Sequence, residues 1–350
     1  MHLECHTNPS IFESLASEWN ALAARSLTNT PFQRPEFQAA WWRHFGQGDP
    51  ATGSGLCVLT MRDDNNQLAA IAPIYIDPID PSTSLRAGGG TVRWVGGEEI
   101  ADYLDIIAPT ELMESAATAL WDWLSGPTAP QWQRLQFSNT PGWTQTLHHL
   151  HARAITSGHQ ALITQLEVCP VVPLPNTFDA YLKQLDSKQR HEINRKLRRA
   201  QGNENPVTWY IVDSRRDIAT ETEAFMALME TASAGKAAFL TPPMRAAFHD
   251  IFATTFKAGL LQLAFLEVNG QPAAAYAQFA YANRIWLYNS GLNPAAGGQL
   301  STGWVLLARL IEDAINNGRT AFDFMQGSED YKYRFGAKDT LVFRLVIDKG

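Results

Sequence analysis

The same order of secondary-structure elements is predicted twice along this 350-residue chain. In the second half, two strand-like segments, Leu260–Val268 and Pro272–Tyr281, flank Asn269-Gly270, a dipeptide typical of a tight hairpin turn. The hairpin is followed by the predicted strand Ile285–Ser290, loop Gly291–Gln299, helix Leu300–Asn317, strand Thr320–Met325, short helix Glu329–Phe335 and strand Leu341–Ile347. Two helices precede the hairpin, Ile218–Ser233 and Pro243–Lys257.

The first half repeats this order without obvious residue identity. Its predicted elements are the helices Ser10–Arg25 and Pro35–Phe45, the strands Leu56–Arg62 and Leu68–Ile76, a Pro/Gly-rich connection at Asp77–Gly90, the strands Thr91–Val95 and Tyr103–Ala108, the helix Glu111–Leu124, the strand Trp132–Ser138, the helix Gly142–Ala152 and the strand Ala161–Val168. We therefore predict an α/β protein with mixed sheets, built from two copies of one small fold, residues 1–168 and residues 169–350. The proline-rich segment Cys169–Asn176 is the predicted linker, and the helix Thr177–Gln201, capped by Thr177, opens the second copy.

Composition limits the class of protein. A net charge of −7 argues against nucleic-acid binding driven by the overall field, although a local basic patch would still allow it. The cysteines Cys5, Cys57 and Cys169 form neither a zinc nor a disulfide pattern, and free thiols suit a reducing cytoplasm. The histidines around residue 150 have no carboxylate or cysteine at metal-ligand spacing, so no metal is predicted. No signal peptide and no membrane-spanning helix are expected either.

The segment Phe322–Gly336, FDFMQGSEDYKYRFG, combines a short apolar strand, a glycine turn, an acidic pair and a basic-aromatic run. Open α/β sheets bind their ligands at strand ends, which is where this cluster falls. A group-transfer reaction needs a proton acceptor, dipoles that stabilise a developing anion and a proton donor for the leaving group. The candidate catalytic residues are Asp323, which would orient the acceptor, Tyr331, which would donate a proton, and Lys332. Lys332 or the candidate substrate-binding residue Arg334 would bind an acidic group or phosphate; alternatively, Asp323 pairs with one of these cations and the rings only pack.

A second candidate site is the glycine-rich turn Gly297–Gly303, at the start of the predicted helix Leu300–Asn317. The first backbone N–H groups of a helix lack internal acceptors, and the helix dipole attracts anions to them. Small residues let a diphosphate approach this backbone. The candidate cofactor-binding residues are Gly298, Gln299, Ser301, Thr302 and Gly303. An ordinary Ser- or Thr-capped helix is the alternative.

The helix segment Ser187–Arg199 is strongly basic, with Glu192 as its only acid. Arg195 and Arg199 lie four residues apart and therefore share one face of the helix. We take both as candidate substrate-binding residues that would contact phosphates of a cofactor, a nucleotide-linked substrate or tRNA. The alternative is a solvated helix face, because runs of charge usually form one.

Together these segments resemble the acyl-CoA N-acyltransferases of the GNAT superfamily. The whole chain is similar to the double-GNAT branch that includes FemAB-type aminoacyltransferases and CelD-like, BioF2-like acetyltransferases. The resemblance is carried by SKQRHEINRKLRRA, LEVNGQPAAAYAQF, LYNSGLNPAAGGQLSTGWVLLARLIEDAINNG and FDFMQGSEDYKYRFG in the second half, and by PFQRPEFQAAWW, IAPIY and DYLD in the first. The turn GGQLSTG matches the Q/R-x-x-G-x-G/A loop of single-domain GNAT enzymes only approximately.

The resemblance implies two tandem GNAT-like domains, with acyl-CoA bound by the second. Pantetheine would lie between the strands Ile285–Ser290 and Thr320–Met325, and Tyr288 is a candidate substrate-binding residue there. The first copy would supply contacts to the acceptor at the cleft between the copies, for which Tyr103 and Asp105 are candidates. The alternative is that these two residues are a core tyrosine and a turn carboxylate.

We therefore expect a cytoplasmic GNAT-type acyltransferase that uses acetyl-CoA or another acyl-CoA as co-substrate. It would transfer the acyl group by direct attack of an amine or hydroxyl on a small metabolite or a cell-envelope polysaccharide precursor. One alternative is a FemAB-like aminoacyltransferase that uses charged tRNA, which the basic helix favours and the net charge disfavours. Another is a non-catalytic binding protein of the same fold from an envelope-polysaccharide gene cluster.

Overall fold

The computed structural model describes residues 1–46, 55–77 and 89–349. The chain forms two compact units, Met1–Val168 with Thr340–Gly350, and Cys169–Asp339. Most of the connection predicted at Asp77–Gly90 lies outside the described residues.

The first unit begins with a strand and three helices and continues with alternating strands and helices. Its elements are β1 (His2–His6), α1 (Ile11–Ser14), α2 (Ala16–Ala23), α3 (Pro35–Phe45), β2 (Gly55–Arg62), β3 (Leu68–Asp77), β4 (Gly90–Trp94), α4 (Met113–Ser125), β5 (Trp132–Pro141), α5 (Thr146–Thr156) and β6 (Gln160–Pro173). The chain passes into the second unit within β6.

The second unit has the same kind of order. Its elements are α6 (Phe178–Gln184), α7 (Ser187–Gln201), β7 (Val207–Ile211), α8 (Ile218–Ala232), α9 (Ala234–Phe239), α10 (Pro242–Lys257), β8 (Leu261–Val268), β9 (Gln271–Tyr281), β10 (Arg284–Leu292), α11 (Thr302–Asn316), β11 (Ala321–Asp323) and α12 (Asp330–Arg334). The chain returns to the first unit within the last strand, β12 (Lys338–Asp348).

The strands of the two units follow one pairing pattern. In the first unit the order is β1-β2-β3-β4-β5-β12, and all neighbours are antiparallel except β4 and β5. In the second unit the order is β7-β8-β9-β10-β11-β6, and all neighbours are antiparallel except β10 and β11. Each unit therefore takes its sixth strand from the other half of the sequence. The predicted fold class, a mixed α/β protein with two similar units, is confirmed.

Local sequence accounts for much of the second unit. Asn269 and Gly270 both have left-handed backbone angles, with φ of 52° and 72°, as the predicted two-residue hairpin between β8 and β9 requires. Thr177 caps α6 as predicted, since its side chain accepts a hydrogen bond from the N–H of Ala180. The buried stripe of α11, which includes Leu306 and Leu310, packs against β9 and α7.

Several element predictions differ from the structure, and the helix predicted over Ser10–Arg25 is divided into α1 and α2. The segment Tyr103–Ala108 is irregular and makes only one β-bridge, between Ile107 and Ile71. The helix predicted over Thr177–Gln201 is two helices, because Leu185 is extended and the carboxylate of Asp186 caps α7. The predicted linker Cys169–Asn176 is strand as far as Pro173. The strands β1 and β7 were not predicted.

Candidate functional site

The two parallel strands of the second unit separate soon after they meet. β10 pairs with β11 only from Arg284 to Trp286, while β10 itself continues to Leu292. A β-bulge follows at once, because Leu287 and Asn289 oppose consecutive residues of β9 and Tyr288 is the extra residue. Within the described chain, no strand lies beside β10 on the β11 side after Trp286. We call this opening along β10 the strand gap.

The glycine-rich turn lies between β10 and α11. Residues Gly298–Leu300 form one turn of 3-10 helix, and Ser301 adopts the left-handed conformation with φ of 56° without capping α11 through its side chain. Among the described residues, no hydrogen-bond acceptor serves the backbone N–H groups of Thr302 and Gly303. The five candidate cofactor-binding residues thus form a single turn that presents free donors at a helix N-terminus.

A side chain at Gly303 would displace the side chain of Leu292. A Cβ atom there would lie 2.8 Å from Cδ2 of Leu292, the last residue of β10. Two hydrogen bonds also join the turn to β9. The Tyr276 hydroxyl donates to the Gly303 carbonyl at 3.4 Å, and the Thr302 hydroxyl donates to the Ala273 carbonyl at 3.4 Å. The start of α11 is therefore tied to β9 and to the end of β10.

The basic helix α7 places positive charge at this turn. The Arg199 guanidinium donates to the side-chain and backbone oxygens of Gln299 at 2.6 and 3.3 Å. Lys196 Nζ lies 3.9 Å from the ring centroid of Trp304, in the first turn of α11. Burial lowers the pKa of Lys196, and the nearby positive charge of Arg334 acts in the same direction. Lys196 and Arg199 therefore contact the start of α11 and the turn before it, and Arg334 lies near Lys196.

Arg195 is placed differently from Arg199. Its guanidinium forms an ion pair with Glu192 at 2.8 Å, and its side chain is 57% exposed. The structure thus brings Arg199 and Gln299 together, whereas Arg195 pairs with Glu192 of its own helix.

Lys332, in α12, buries its side chain against the loop that follows β11. Its side chain is only 3% exposed, and Nζ donates to the carbonyls of Met325, Gln326 and Gly327 at 3.1, 2.6 and 3.0 Å. It also pairs with Glu329 at 2.9 Å. The ammonium group therefore holds the loop in shape, which is a different role from binding a phosphate directly.

The other candidates in this segment are also engaged locally. Asp323 is buried at the end of β11 and accepts a hydrogen bond from the N–H of Met325 at 2.8 Å. The ring of Tyr331 packs edge-on against Phe324, and burial raises the pKa of Tyr331 far above its usual range. The Tyr331 hydroxyl is therefore protonated at neutral pH and is a weaker acid than an exposed tyrosine. Arg334 is half exposed and pairs with Asp330 at 2.5 Å.

Tyr103 and Asp105 lie in the interior of the first unit. Both residues are completely buried. Tyr103 has a left-handed φ of 58°, and its ring packs against Trp143. The Asp105 carboxylate accepts hydrogen bonds from the Thr28 hydroxyl at 3.0 Å and the Ile106 N–H at 2.8 Å, and burial raises its pKa to about 6. The surroundings of Asp105 are those of a structural carboxylate.

Tyr288 lies at the strand gap. It is the bulged residue of β10, and its half-buried ring packs against Phe248, Phe252 and Phe279. This packing fixes the side chain on the face of β10 that carries α10, while the bulge alters the backbone geometry at the gap.

A residue that the sequence did not single out is Lys236, in the short helix α9. Its Nζ donates to the Asn289 side-chain oxygen at 3.2 Å, to the Ser290 hydroxyl at 2.9 Å and to the Ser290 carbonyl. Burial lowers its pKa to about 8, against the raising effect of Glu329. A single lysine among the small residues of Ser233–Phe239 gives no pattern from which this position is predictable.

The corresponding place in the first unit has the opposite charge. Helix α4 follows β4 as α11 follows β10, but acidic residues, Glu111 and Glu114, lie at its start. Carboxylates at a helix N-terminus compete with an anionic ligand for the same donors and repel it. The features that favour anion binding are therefore found in the second unit. In residues 1–46, 55–77 and 89–349, no three His, Cys, Asp or Glu side chains group as metal ligands would.

Comparison with protein families identifies one domain. Residues 187–333 match the family described as "Acetyltransferase (GNAT) domain". This match begins at the first residue of α7 and includes the strand gap, the glycine-rich turn and the segment up to Tyr333. No curated protein matches the chain significantly.

Solved structures with a similar fold cover nearly the whole chain. The structure of FemX has a TM-score of 0.68 at 9% identity, over 98% of this chain and 97% of that one. L-PGS from Bacillus licheniformis has a TM-score of 0.52 at 9% identity, over 89% and 90% of the two chains. A tandem GNAT protein from the clavulanic acid biosynthesis pathway has a TM-score of 0.50 at 10% identity, over 100% and 99%. At these identities the likeness shows the fold alone. None of the described helices is both long and apolar enough to cross a membrane.

Proposed function

We propose that this chain, which belongs to the GNAT superfamily of acyltransferases and carries two GNAT-like units, takes its acyl group from an acyl-CoA. The acyl group, most simply acetyl, passes to an amine or hydroxyl of a small metabolite or a cell-envelope polysaccharide precursor. The predicted domains, residues 1–168 and residues 169–350, would be the acceptor side and the donor side, except that Thr340–Gly350 belongs to the first unit. The free thiols Cys5, Cys57 and Cys169 suit a reducing cytoplasm.

The observation that carries this proposal is the convergence of charge and free donors beside the strand gap. Coenzyme A has a diphosphate and a further phosphate at one end, and the N-terminus of α11 offers unpaired N–H groups with Lys196 and Arg199 beside them. The rest of the cofactor is an extended chain with two amide groups. Such a chain suits the edge of β10 past Trp286, where β11 provides no further partner.

The chemistry follows from the groups near the gap. The acceptor amine or hydroxyl attacks the thioester carbonyl and loses one proton, the C–S bond breaks, and the leaving thiolate takes up one proton, which gives the acylated acceptor and the free thiol of coenzyme A. The hydroxyl of Tyr331 is protonated at neutral pH, as a tyrosine ordinarily is, and we assign it as the proton donor. Asp323 and Lys332 shape the loop that lies against this end of β11 and act on the reaction through that loop. We propose direct attack by the acceptor, without a covalent acyl-enzyme, because the segment Phe322–Gly336 contains no cysteine that could act as a nucleophile.

Calorimetric titration with acetyl-CoA tests the donor site. We expect the wild-type protein to bind acetyl-CoA, and the Arg199→Ala variant to bind it about tenfold more weakly because a charge-assisted phosphate contact is lost. Arg215→Ala removes the same charge from an exposed loop pair with Asp213 and should leave the affinity unchanged. Absence of binding by the wild-type protein, or equal effects of the two substitutions, contradicts the proposal.

A second candidate is transfer from aminoacyl-tRNA, the donor implied by the resemblance to FemAB-type enzymes. The observation in its favour is that α7 also exposes cations that do not face α11, such as Arg195 and Arg198. A gel-shift titration with tRNA at increasing salt tests it, since phosphate contacts weaken steeply as salt rises. Binding that survives Arg199→Ala but is lost when Arg195 and Arg198 are both replaced by alanine would favour this donor over acyl-CoA.

A further inference from the structure

The last residues of β10 are held by side chains where a neighbouring strand would otherwise be expected. β11 ends opposite Trp286, so Ser290 and Leu292 have no strand partner on that side within the described chain. The Ser290 carbonyl accepts from Lys236, and the Leu292 carbonyl accepts from the Thr231 hydroxyl at 2.9 Å. Both donors come from the α8–α9 region, which thus supplies hydrogen bonds that a longer β11 would have made.

The face of β10 is fixed at the same place. A Cβ atom on Gly291 would lie 2.6 Å from the Leu228 Cβ and 2.8 Å from the backbone of α8, so helix and strand touch here without an intervening side chain. The end of β10 is therefore packed by α8 on one face and tied along its edge by Lys236 and Thr231. The stretch between Trp286 and Ser290 remains as the strand gap, and Lys236 stands at its far end.

Lys236 is suited to holding this end of the strand. A lysine ammonium has three N–H donors, and three oxygens receive them: the Asn289 side chain, the Ser290 hydroxyl and the Ser290 carbonyl. With a pKa of about 8 the side chain remains mainly protonated near pH 7, despite its burial. Glu329, which also pairs with Lys332 of α12, lies close enough to favour the charged form.

We propose that Lys236 is a positioning residue of the acyl-transfer site, which holds Asn289 and Ser290 so that the free edge of β10 is shaped to receive the part of acetyl-CoA beyond its nucleotide. This rests on the proposed function, because it takes the strand gap as the place of the donor. Lys236 acts through β10, and the phosphates bind elsewhere, at the glycine-rich turn. Loss of Lys236 should therefore affect the pantetheine end of the donor and spare the nucleotide end.

The test compares two ligands on one variant. Lys236→Met keeps the length and apolar stem of the side chain but removes all three donors. We expect its affinity for acetyl-CoA to fall about tenfold, equivalent to about 1.4 kcal/mol, with no change in affinity for 3′,5′-ADP, which lacks the pantetheine. Lys236→Arg keeps donors and charge and should recover most of the acetyl-CoA affinity. Lys257→Met, an exposed lysine in the last turn of α10, is the matched control and should behave as wild type.

The possible outcomes separate the two proposals. Wild-type protein that binds neither ligand refutes the donor site and the role of Lys236 with it. Wild-type protein that binds both, with Lys236→Met equal to wild type, refutes the role of Lys236 alone. If Lys236→Met lowers the affinity for both ligands equally, the effect is a general structural one. If the variant binds acetyl-CoA more tightly than wild type, the lysine obstructs the gap. Either result also overturns the inference. If Lys236→Met does not fold, Ser290→Ala, which removes one of the three contacts, must weaken acetyl-CoA selectively.

Discussion

The pH dependence of unfolding should reveal the role of Asp105. Its carboxyl is fully buried, and burial raises its pKa from an ordinary 3.8 to about 6, although hydrogen bonds from Thr146, Ile106 and Thr28 act in the opposite direction. Because the folded pKa is the higher one, the folded protein binds this proton more tightly than the unfolded chain does. The resulting stabilisation is complete below about pH 4 and is lost as the pH rises through about 6.

The size of this effect follows from the difference between the two pKa values. One pH unit corresponds to about 1.4 kcal/mol, so a rise from 3.8 to about 6 changes the free energy of unfolding by about 3 kcal/mol. Asp105→Asn cannot ionise and should lack this pH dependence. Relative to the variant, the wild-type protein should therefore lose about 3 kcal/mol of stability between about pH 4 and about pH 7.5.

Urea unfolding followed by tryptophan fluorescence measures this difference at a series of pH values. The two units need separate transitions in the fit, because a two-unit chain need not unfold in one step. Any constant cost of the Asn side chain cancels, since only the change with pH is compared. Parallel pH curves for the two proteins would refute the reasoning. A variant that unfolds as wild type does but no longer transfers the acyl group would instead assign Asp105 to the acceptor.

Three further substitutions test the packing around the site. Gly291→Ala should destabilise the protein by about 1–3 kcal/mol in thermal unfolding because its Cβ would overlap α8, whereas Gly235→Ala in α9, with space around it, should not destabilise. Lys332→Met should cost roughly 3 kcal/mol or more, since it leaves three loop carbonyls without their donor, and a cost below about 1 kcal/mol in the same assay would contradict the role given to it. Deletion of residues 340–350 removes most of β12, the strand that pairs with β5 of the first unit. The first unit should then become sensitive to protease while the second stays resistant. Equal resistance of both units would contradict the assignment of this strand to the first unit.

The sequence predicts those parts of the fold that local patterns determine. The hairpin at Asn269-Gly270 follows from two residues that tolerate left-handed angles, and α11 follows from its apolar periodicity. The exchange of the last strands was not predictable in this way. β6 meets β11 about 150 residues later in the chain, and no local pattern shows which strand edge a segment will pair with.

In the candidate site, too, local features were predictable from the sequence and contacts between distant segments were not. Arg199 and Gln299 were each proposed from local features, but their contact spans 100 residues and depends on how α7 packs against α11. The resemblance implies an acceptor contact for Asp105, yet the residue is buried and hydroxyls from distant segments, such as Thr28, surround it. The role proposed for Lys236 depends on three contacts with β10. The residues next to Lys236 in the sequence do not predict these contacts.

A crystal structure with acetyl-CoA bound tests the central claim most directly. The account predicts diphosphate oxygens within about 3 Å of the N–H groups of Thr302 and Gly303, with Arg199 turned toward a phosphate. It also predicts that the pantetheine lies along β10 between Trp286 and Ser290. Coenzyme A bound away from the glycine-rich turn, or a strand gap that remains closed by the protein's own side chains when the ligand is bound, would contradict it.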